Sequence, residues 1–361
     1  MRKALIIAEA GVNHNGSLAL ALELVDAAIA ADVDIVKFQT FQSKSLVTAD
    51  AQQAKYQSKN TDKVESQQEM LSRLELTFDE HLAIKTYCDN NNIEYLSTAF
   101  DSESLKFLVD KLNLSRLKIP SGEINNAPFI LEHAQTGCDL IISTGMSTID
   151  EIEVALGVIA FGFLYPNNEP SPSKSNFQQA FESEEGQELL RKKVVVLHCT
   201  TEYPAPLAQV NLAAMALIKE TFKLPVGYSD HTEGIVVPVV AVAHGACIVE
   251  KHFTLSRDLD GPDHKASIEP GELCEMVNNI RVAELVVGEK LKKPSLIEEQ
   301  NKAVIRKSVV AKVPILSGEK FSSKNITVMR PGTGLSPMNY WQLIGKTSNK
   351  AFAAGELISI T

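Results

Sequence analysis

Pro225–Asp263 reads PVGYSDHTEGIVVPVVAVAHGACIVEKHFTLSRDLDGPD, and this stretch decides the fold. A short apolar strand ends in Ser229-Asp230-His231, a helix-like apolar run covers Ile235–Ala243, and a second strand, Cys247–Glu250, ends in Lys251-His252. In a β–α–β unit the crossover makes the two strands parallel, so both carboxyl ends open on the same side. His231 and His252 then stand side by side. Two neutral imidazoles, with Asp230, Glu250 and Asp263 close in sequence, can hold one divalent cation and leave positions for water or a substrate oxygen. A lone histidine is more often a half-buried side chain with a structural role. A pair at matching strand ends tips the balance toward ligands.

The same unit repeats upstream. Short apolar strands are expected at Ala4–Ala8, Asp34–Phe38, Ile93–Ser97, Arg116–Ile119, Leu140–Ser143 and Val194–His198, which with Pro225–Gly227 and Cys247–Glu250 make eight. Helical spacing fills the gaps: Leu18, Leu22, Val25 and Ile29 recur after the first strand, and Phe78–Asn91, Ser102–Leu112, Ala127–Gln135, Thr148–Ala160, Val210–Phe222 and Gly271–Val287 follow the same pattern. Eight strands alternating with helices over about 250 residues predict an α/β fold of the (β/α)8 TIM-barrel type. The rival, a doubly wound open sheet, usually carries a Gly-rich first turn, and Glu9-Ala10-Gly11-Val12-Asn13 offers no G-x-G-x-x-G.

At 361 residues the chain exceeds what one core usually holds. The barrel is expected over 1–287, with 288–302 (GEKLKKPSLIEEQNK) as a polar linker and 303–361 as a compact, turn-rich domain with β-like runs at Ser308–Ala311, Ile326–Met329 and Leu357–Ile360. Two segments look inserted, Ser43–Leu76 and the Pro- and Ser-rich Tyr165–Arg191; both are expected to follow strands at the carboxyl end, as covers for a site or as solvated excursions. A net charge of −10 with both signs interspersed argues against nucleic acid or an anionic membrane as the main partner. Five cysteines with no C-x-x-C spacing read as buried thiols in a reducing compartment. The apolar run after Lys3 is broken by Glu9, too early for a secretory leader, and the longest uncharged stretch, Gly234–Val249, carries Pro238 and Gly245 and falls short of a membrane span. A cytoplasmic protein is expected.

In such a barrel, polar residues at the carboxyl ends of the strands face the catalytic mouth. Here they are Glu9; Lys37 and Gln39; Thr98; Lys118, Ser121 and Glu123; Ser143 and Thr144; His198, Thr200, Thr201 and Tyr203; Ser229 and His231; Lys251 and His252. Any single Ser or Thr among them is more often structural. As a set, Lys37, Thr98, Lys118, Ser121, Ser143 and Ser229 form an oxyanion-binding lining that suits a ligand carrying phosphate and carboxylate together. A cation on the two histidines would polarise an aldehyde oxygen, and a phosphorylated enol held by the lysines could deliver its methylene carbon there. Glu9, Glu123 and Asp263 are the carboxylates available to position water or move protons, and the sequence does not choose among them. Two rivals stand beside this: a Schiff-base aldolase on Lys37 or Lys118, and a noncatalytic sugar-acid binding protein.

IAEAGVNHNGS (7–17), IVKFQTF (35–41), LKIPSGE (117–123), ISTGMS (142–147), LHCTTEYPAP (197–206), VGYSDHT (226–232), EKHFT (250–254) and GPDHKAS (261–267) together resemble the bacterial sialic acid synthase family. The resemblance covers nearly the whole chain. It implies a Mn2+-dependent condensation of phosphoenolpyruvate with an N-acetylmannosamine-type sugar, in which C3 of phosphoenolpyruvate attacks the open-chain aldehyde, water adds at C2 and phosphate leaves by C–O cleavage. It further implies His231 and His252 as metal ligands, and Lys37, Thr98, Lys118, Ser121, Ser143 and Ser229 as phosphoenolpyruvate contacts. Glu9, Gln39, Tyr203 and Asp263 would meet the sugar or the metal's water shell, and Glu123 would lie beside the metal. The C-terminal domain resembles the antifreeze-like (SAF) module, which in a domain-swapped homodimer reaches the partner's site, with Arg330 at the sugar's acyl group. Thr201-Glu202 followed by Tyr203-Pro204-Ala205-Pro206 is closer to the legionaminic acid synthase branch, whose sugar is a 2,4-diacetamido-2,4,6-trideoxymannose.

Overall fold

The structure is a computed structural model that describes residues 3–46 and 66–359. The chain divides into two compact units, Met1–Gly288 and Glu289–Thr361.

In the first unit all eight expected strands form: β1 (Leu5–Gly11), β2 (Ile35–Thr40), β3 (Glu94–Ala99), β4 (Arg116–Ile119), β5 (Asp139–Ser143), β6 (Val194–Cys199), β7 (Val226–Asp230) and β8 (Ile248–His252). They pair in chain order and β8 closes on β1, giving a closed barrel whose strand pairs are parallel. The helices between them begin where short polar side chains can take up free backbone N–H groups. Ser17 caps Leu18–Ala30, Asp101 caps Ser102–Asp110 and Asn126 caps Ala127–Gln135. Thr77 with Glu80 and Thr148 with Glu151 form reciprocal capping boxes at Phe78–Asn90 and Ile149–Leu164.

Strand side chains alternate between the barrel axis and the helical layer. Ile6, Ala8, Val36, Phe38, Leu117, Ile142, Val196, Tyr228 and Val249 point outward into the main core shared with the helices. Ile7, Ile35, Leu96, Ile141, Leu197 and Ile248 point inward and plug the barrel with a dry layer. Two residues further along the same strands the inward positions are Glu9, Lys37, Thr98, Ser143, Cys199 and Glu250, all lining a cavity. The change from branched aliphatic to polar side chains within one step of the pleat sets the floor of the site.

Several expectations need correction. Tyr165–Arg191 follows the helix Ile149–Leu164 and leads into β6, so it belongs to the helix-to-strand side of the barrel, opposite the cavity. It is largely helical, over Lys174–Glu182 and Glu184–Lys193, and none of it lines the cavity. Proline and serine content identified an insertion but carried no information about which end of the strand it joins. Of Ser43–Leu76, residues 47–65 lie outside the described residues; the remainder contains the helices Ser43–Leu46 and Gln67–Leu74 and does border the cavity. The segment 288–302 is not wholly a linker, because Ser295 and Glu298 form a capping box that starts a helix over Leu296–Ile305.

The second unit is built on two antiparallel strands, β9 (Ser308–Ala311) and β10 (Ile326–Met329). The third expected run, Leu357–Ile360, contributes only a single bridge from Leu357 to Val310, and Ile360 lies outside the described residues. Val309, Ala311, Ile315, Phe321, Ile326, Leu343, Phe352 and Ile358 form its own small core.

Candidate active site

The cavity at the carboxyl ends of the strands holds about 480 Å³. Fourteen of the residues singled out in the sequence line it: Glu9, Lys37, Gln39, Thr98, Lys118, Ser121, Glu123, Ser143, Thr201, Tyr203, Ser229, His231, His252 and Asp263. Arg330 does not; it belongs to the second unit, where its Nε donates to the Ile305 carbonyl at 3.0 Å.

The two lysines occupy different surroundings. Lys118 Nζ donates to Ser143 Oγ at 2.7 Å and to the Ile119 carbonyl at 3.2 Å, and burial pulls its pKa below the usual lysine value. Lys37 Nζ donates to Thr98 Oγ1 at 3.2 Å, forms a close ion pair with Glu9 and lies 3.5 Å from Glu250 Oε2. Burial opposes the charge of Lys37, but the carboxylates of Glu250 and Glu9 outweigh it and raise its pKa. Glu250 takes the opposite course to Glu9. Burial pushes the Glu250 carboxyl up, yet Lys118, Lys37 and the Ser229 hydroxyl, donated at 2.8 Å, hold it well below the carboxylate range. Glu9 is raised by burial, against the pull of Lys37 and with help from the Glu250 charge.

Glu250 is the functional candidate missing from the set read at strand ends, although it was noted beside the histidines. The signal was parity: Ile248, Glu250 and His252 share the inward face of β8, while Lys251 between them points out. Lys251 donates to Asp230 Oδ2 at 2.6 Å behind the barrel wall, and Asp230 also accepts from the Tyr228 hydroxyl and from Thr232. Asp230 is thereby removed from the group that could join the histidines. His198 likewise turns outward to the Val210 carbonyl at 2.7 Å, Thr144 donates to the Leu197 carbonyl, and Thr200 directs its hydroxyl to the Gln209 carbonyl.

His231 and His252 do meet, with ring centroids 5.7 Å apart. The Tyr203 ring lies tilted by 31° against His231, with centroids 4.1 Å apart, and stands edge-on to His252 at 5.6 Å. His231 Nδ1 donates to the Thr200 carbonyl at 2.7 Å, which leaves Nε2 as the lone-pair nitrogen, 3.4 Å from Ser229 Oγ. His252 Nδ1 is buried with no hydrogen-bond partner. Burial lowers both imidazole pKa values, that of His252 strongly, with His231 and Lys37 adding to the effect. Neutral imidazoles, one oriented by a carbonyl and one with an unpartnered nitrogen, fit a divalent cation. Among the described residues no group of three His, Cys, Asp or Glu side chains gathers there, so water and substrate oxygens would complete the coordination.

Two glycines keep the mouth open. A Cβ on Gly145 would lie 2.1 Å from Thr201 Oγ1, 2.9 Å from Ser121 Oγ and 3.0 Å from Cys199 Sγ, and the Gly145 N–H donates to Ser121 Oγ at 2.9 Å. Gly11, at φ +53°, lets β1 turn between Glu9, Gln39 and His252. Asp263 enters from the loop after β8, and burial lifts its carboxyl to about 6. Glu123 is more open and accepts from Asn126 at 2.7 Å.

A closed parallel barrel with two lysines, two histidines and four carboxyls around one cavity defines a barrel enzyme of the phosphoenolpyruvate-condensing kind, and the chain belongs to the NeuB family, whose profile matches residues 24–292, followed by a SAF domain at 306–360. Among its relatives, the N,N'-diacetyllegionaminic acid synthase of Campylobacter jejuni is 44% identical over 358 residues, covering 99% of both chains. That of Legionella pneumophila is 42% identical, covering 97% of this chain and 92% of its own length. The crystal structure of the N-acetylneuraminic acid (sialic acid) synthetase from Leptospira borgpetersenii in complex with citrate superposes with a TM-score of 0.67 at 29% identity, covering 83% of this chain and 90% of that one.

Proposed function

We infer that the barrel condenses phosphoenolpyruvate with 2,4-diacetamido-2,4,6-trideoxymannose and water to give N,N'-diacetyllegionaminate and phosphate. The chain is a transferase of the sialic-type acid synthase class, and the aldolase and binding-protein alternatives are not favoured. The observation that carries the reading is the joint burial of Lys37 and Lys118 beside the paired histidines in one cavity. Two cations and the Ser and Thr hydroxyls suit phosphate and carboxylate on one small molecule, and the imidazole pair suits the aldehyde end of the other. The choice of sugar rests on the near-full-length identity to the two legionaminic acid synthases.

In this reading Lys118 with Ser143, and Lys37 with Thr98, bind and orient the phosphorylated enol, with Ser121 and Ser229 completing the cradle. His231 and His252 would hold a divalent cation, Mn2+ on the family resemblance, which when bound supplies Lewis-acid polarisation of an aldehyde oxygen. Glu250 keeps Lys37 and the Ser229 hydroxyl in register with the enol. Glu9 and Gln39 meet the sugar, as do Thr201 and Tyr203. Asp263, raised toward neutrality, is suited to exchange a proton with the water that adds at C2, and Glu123 stands at the rim to order it. The division of labour follows: a catalytic barrel over 1–287, and a SAF domain from 303 that offers Arg330 to the partner's sugar site in a domain-swapped homodimer in the cytoplasm.

The test is phosphate release from phosphoenolpyruvate with Mn2+ and each of two sugars, the diacetamido sugar and N-acetylmannosamine, with and without EDTA. Sugar-dependent, EDTA-sensitive release is expected, faster with the former, and absence of release with either overturns the reading. His231→Ala and His252→Ala should each abolish metal-dependent turnover with far-UV spectra unchanged; retained turnover in either rejects the ligand assignment. A monomer in sedimentation rejects the swapped dimer.

A further inference from the structure

Asp263 is held unlike two other carboxyls of the cavity. Glu9 and Glu250 ride on the strands β1 and β8, whereas Asp263 rides on the loop between β8 and the helix Pro270–Val287. Among the described residues of that loop, Pro262 and Asp263 alone line the cavity. The loop is closed at its base, where the Thr254 N–H donates to the Ile268 carbonyl at 2.9 Å and the Ile268 N–H to the His252 carbonyl at 3.0 Å. Beyond the base, a buried polar bracket ties it to the turn after β1. Asn13 Nδ2 donates to the Phe253 carbonyl at 2.8 Å and to Ser267 Oγ at 2.9 Å, and Ser267 Oγ donates on to the Asp263 carbonyl at 2.7 Å. His264, fully buried, joins the same two segments: its Nε2 lies 3.2 Å from Asn15 Oδ1 and its Nδ1 2.6 Å from Thr254 Oγ1. Asn15 Oδ1 can only accept, so the neutral ring carries its proton on Nε2 and takes the Thr254 hydroxyl at Nδ1. Burial pulls the His264 pKa down to about 4, which keeps the ring neutral at pH 7. Gly261 passes so close that a Cβ there would stand 2.6 Å from His264 Cδ2 and 2.9 Å from Asn15 Oδ1.

We propose that His264 is the positioning residue for Asp263: wedged between Asn15 and Thr254, its ring fixes the course of residues 261–267 and so the place where the Asp263 carboxyl enters the cavity. The inference deepens the reading above, in which Asp263 exchanges a proton with the water that adds at C2, and rests on it. Such a transfer needs heavy atoms within about 2.6–3.2 Å of each other. A displacement of about 1 Å can cost on the order of 100-fold in rate. Strand residues take that precision from the sheet; a loop residue must take it from its neighbours. A polar bracket suits the purpose. Its hydrogen bonds add little net stability, since water would have satisfied the same groups in the unfolded chain. A fully satisfied buried network nevertheless specifies a single arrangement, whereas apolar side chains of similar volume pack in several nearly equal ways.

The test is a double-variant cycle on kcat for phosphate release from phosphoenolpyruvate with the diacetamido sugar and Mn2+. H264A should lower kcat on the order of 10- to 100-fold and leave KM for phosphoenolpyruvate within about twofold, because Lys37 and Lys118 stand on β2 and β4, away from this loop. In a D263N background, itself about 100-fold or more slower, the same substitution should cost less than about threefold, because the carboxyl it positions is gone. H264Q, whose amide nitrogen reaches the place of Nε2 and can donate to Asn15, should recover most of the loss. Asn15 sits at φ +51°, so N15G removes the acceptor without straining the turn, and it repeats the comparison with and without D263N should H264A fail to fold. The full H264A loss reappearing in the D263N background, or kcat within about twofold of wild type for both H264A and N15G, overturns the proposal while the condensation reading stands. Turnover undiminished by D263N overturns the proposal together with the role given to Asp263. Absence of phosphate release by the wild type overturns the condensation reading and the proposal with it.

Discussion

Replacing Asp230 with alanine tests how the strand carrying His231 is held. The Asp230 carboxylate is fully buried and accepts from Lys251 Nζ at 2.6 Å, and from the Tyr228 hydroxyl, the Thr232 amide and the Thr232 hydroxyl at 3.1 Å each. Its removal leaves the buried Lys251 ammonium with the Thr232 carbonyl as its remaining partner. Breaking a buried pair from one side costs about 3–5 kcal/mol, because the surviving charge is neither solvated nor paired. That is a large share of the roughly 5–15 kcal/mol that usually separates a folded domain from its unfolded chain. Lys251→Met should cost less, since Asp230 keeps three donors. The double variant D230A/K251M should recover about 2 kcal/mol or more relative to D230A, because no orphan charge remains. Urea denaturation followed by far-UV circular dichroism at neutral pH measures all three. A loss below about 1 kcal/mol for D230A, or a double variant no more stable than D230A, would refute the reasoning.

Buried histidines away from the cavity should make the fold acid-sensitive. His81, bonded to the Tyr95 hydroxyl at 2.9 Å, and His133, bonded to the Phe129 carbonyl at 2.8 Å, are each pushed down by burial to about 4. Below the unfolded value near 6.5 the unfolded chain binds protons that the folded one refuses. Stability is therefore complete above about pH 6.5 and falls on the way to pH 4, by about 2 kcal/mol per histidine at pH 5. Urea midpoints from pH 7 to 5 check the slope, and a flat profile would remove both groups from the account. Gly145→Ala should drive Thr201 and Ser121 from their positions, lowering kcat/KM on the order of 100-fold while the far-UV spectrum is kept. Activity within twofold of wild type would show that the cavity gives way at little cost.

The sequence alone was enough to read the barrel, because period-2 strands and 3.6-period helices are local patterns, and eight of them in alternation leave few ways to close. It also brought nearly the whole site into view: charged residues such as Lys37 and Lys118 directly after aliphatic runs have no place in a core, so they had to face a mouth. Which of two neighbours faces it was decided by the closed sheet. Ser229 and His231 point in while Asp230 points out, and Glu250 and His252 point in while Lys251 points out, since the register of β7 and β8 against their neighbours sets the parity of every side chain. Tertiary structure likewise decided that Tyr165–Arg191 stands at the far end of the barrel, and that Phe41, Met70 and Phe100, up to 59 residues apart, form one apolar cluster. Composition records that a segment is polar or apolar; only the packed chain records what it is set against.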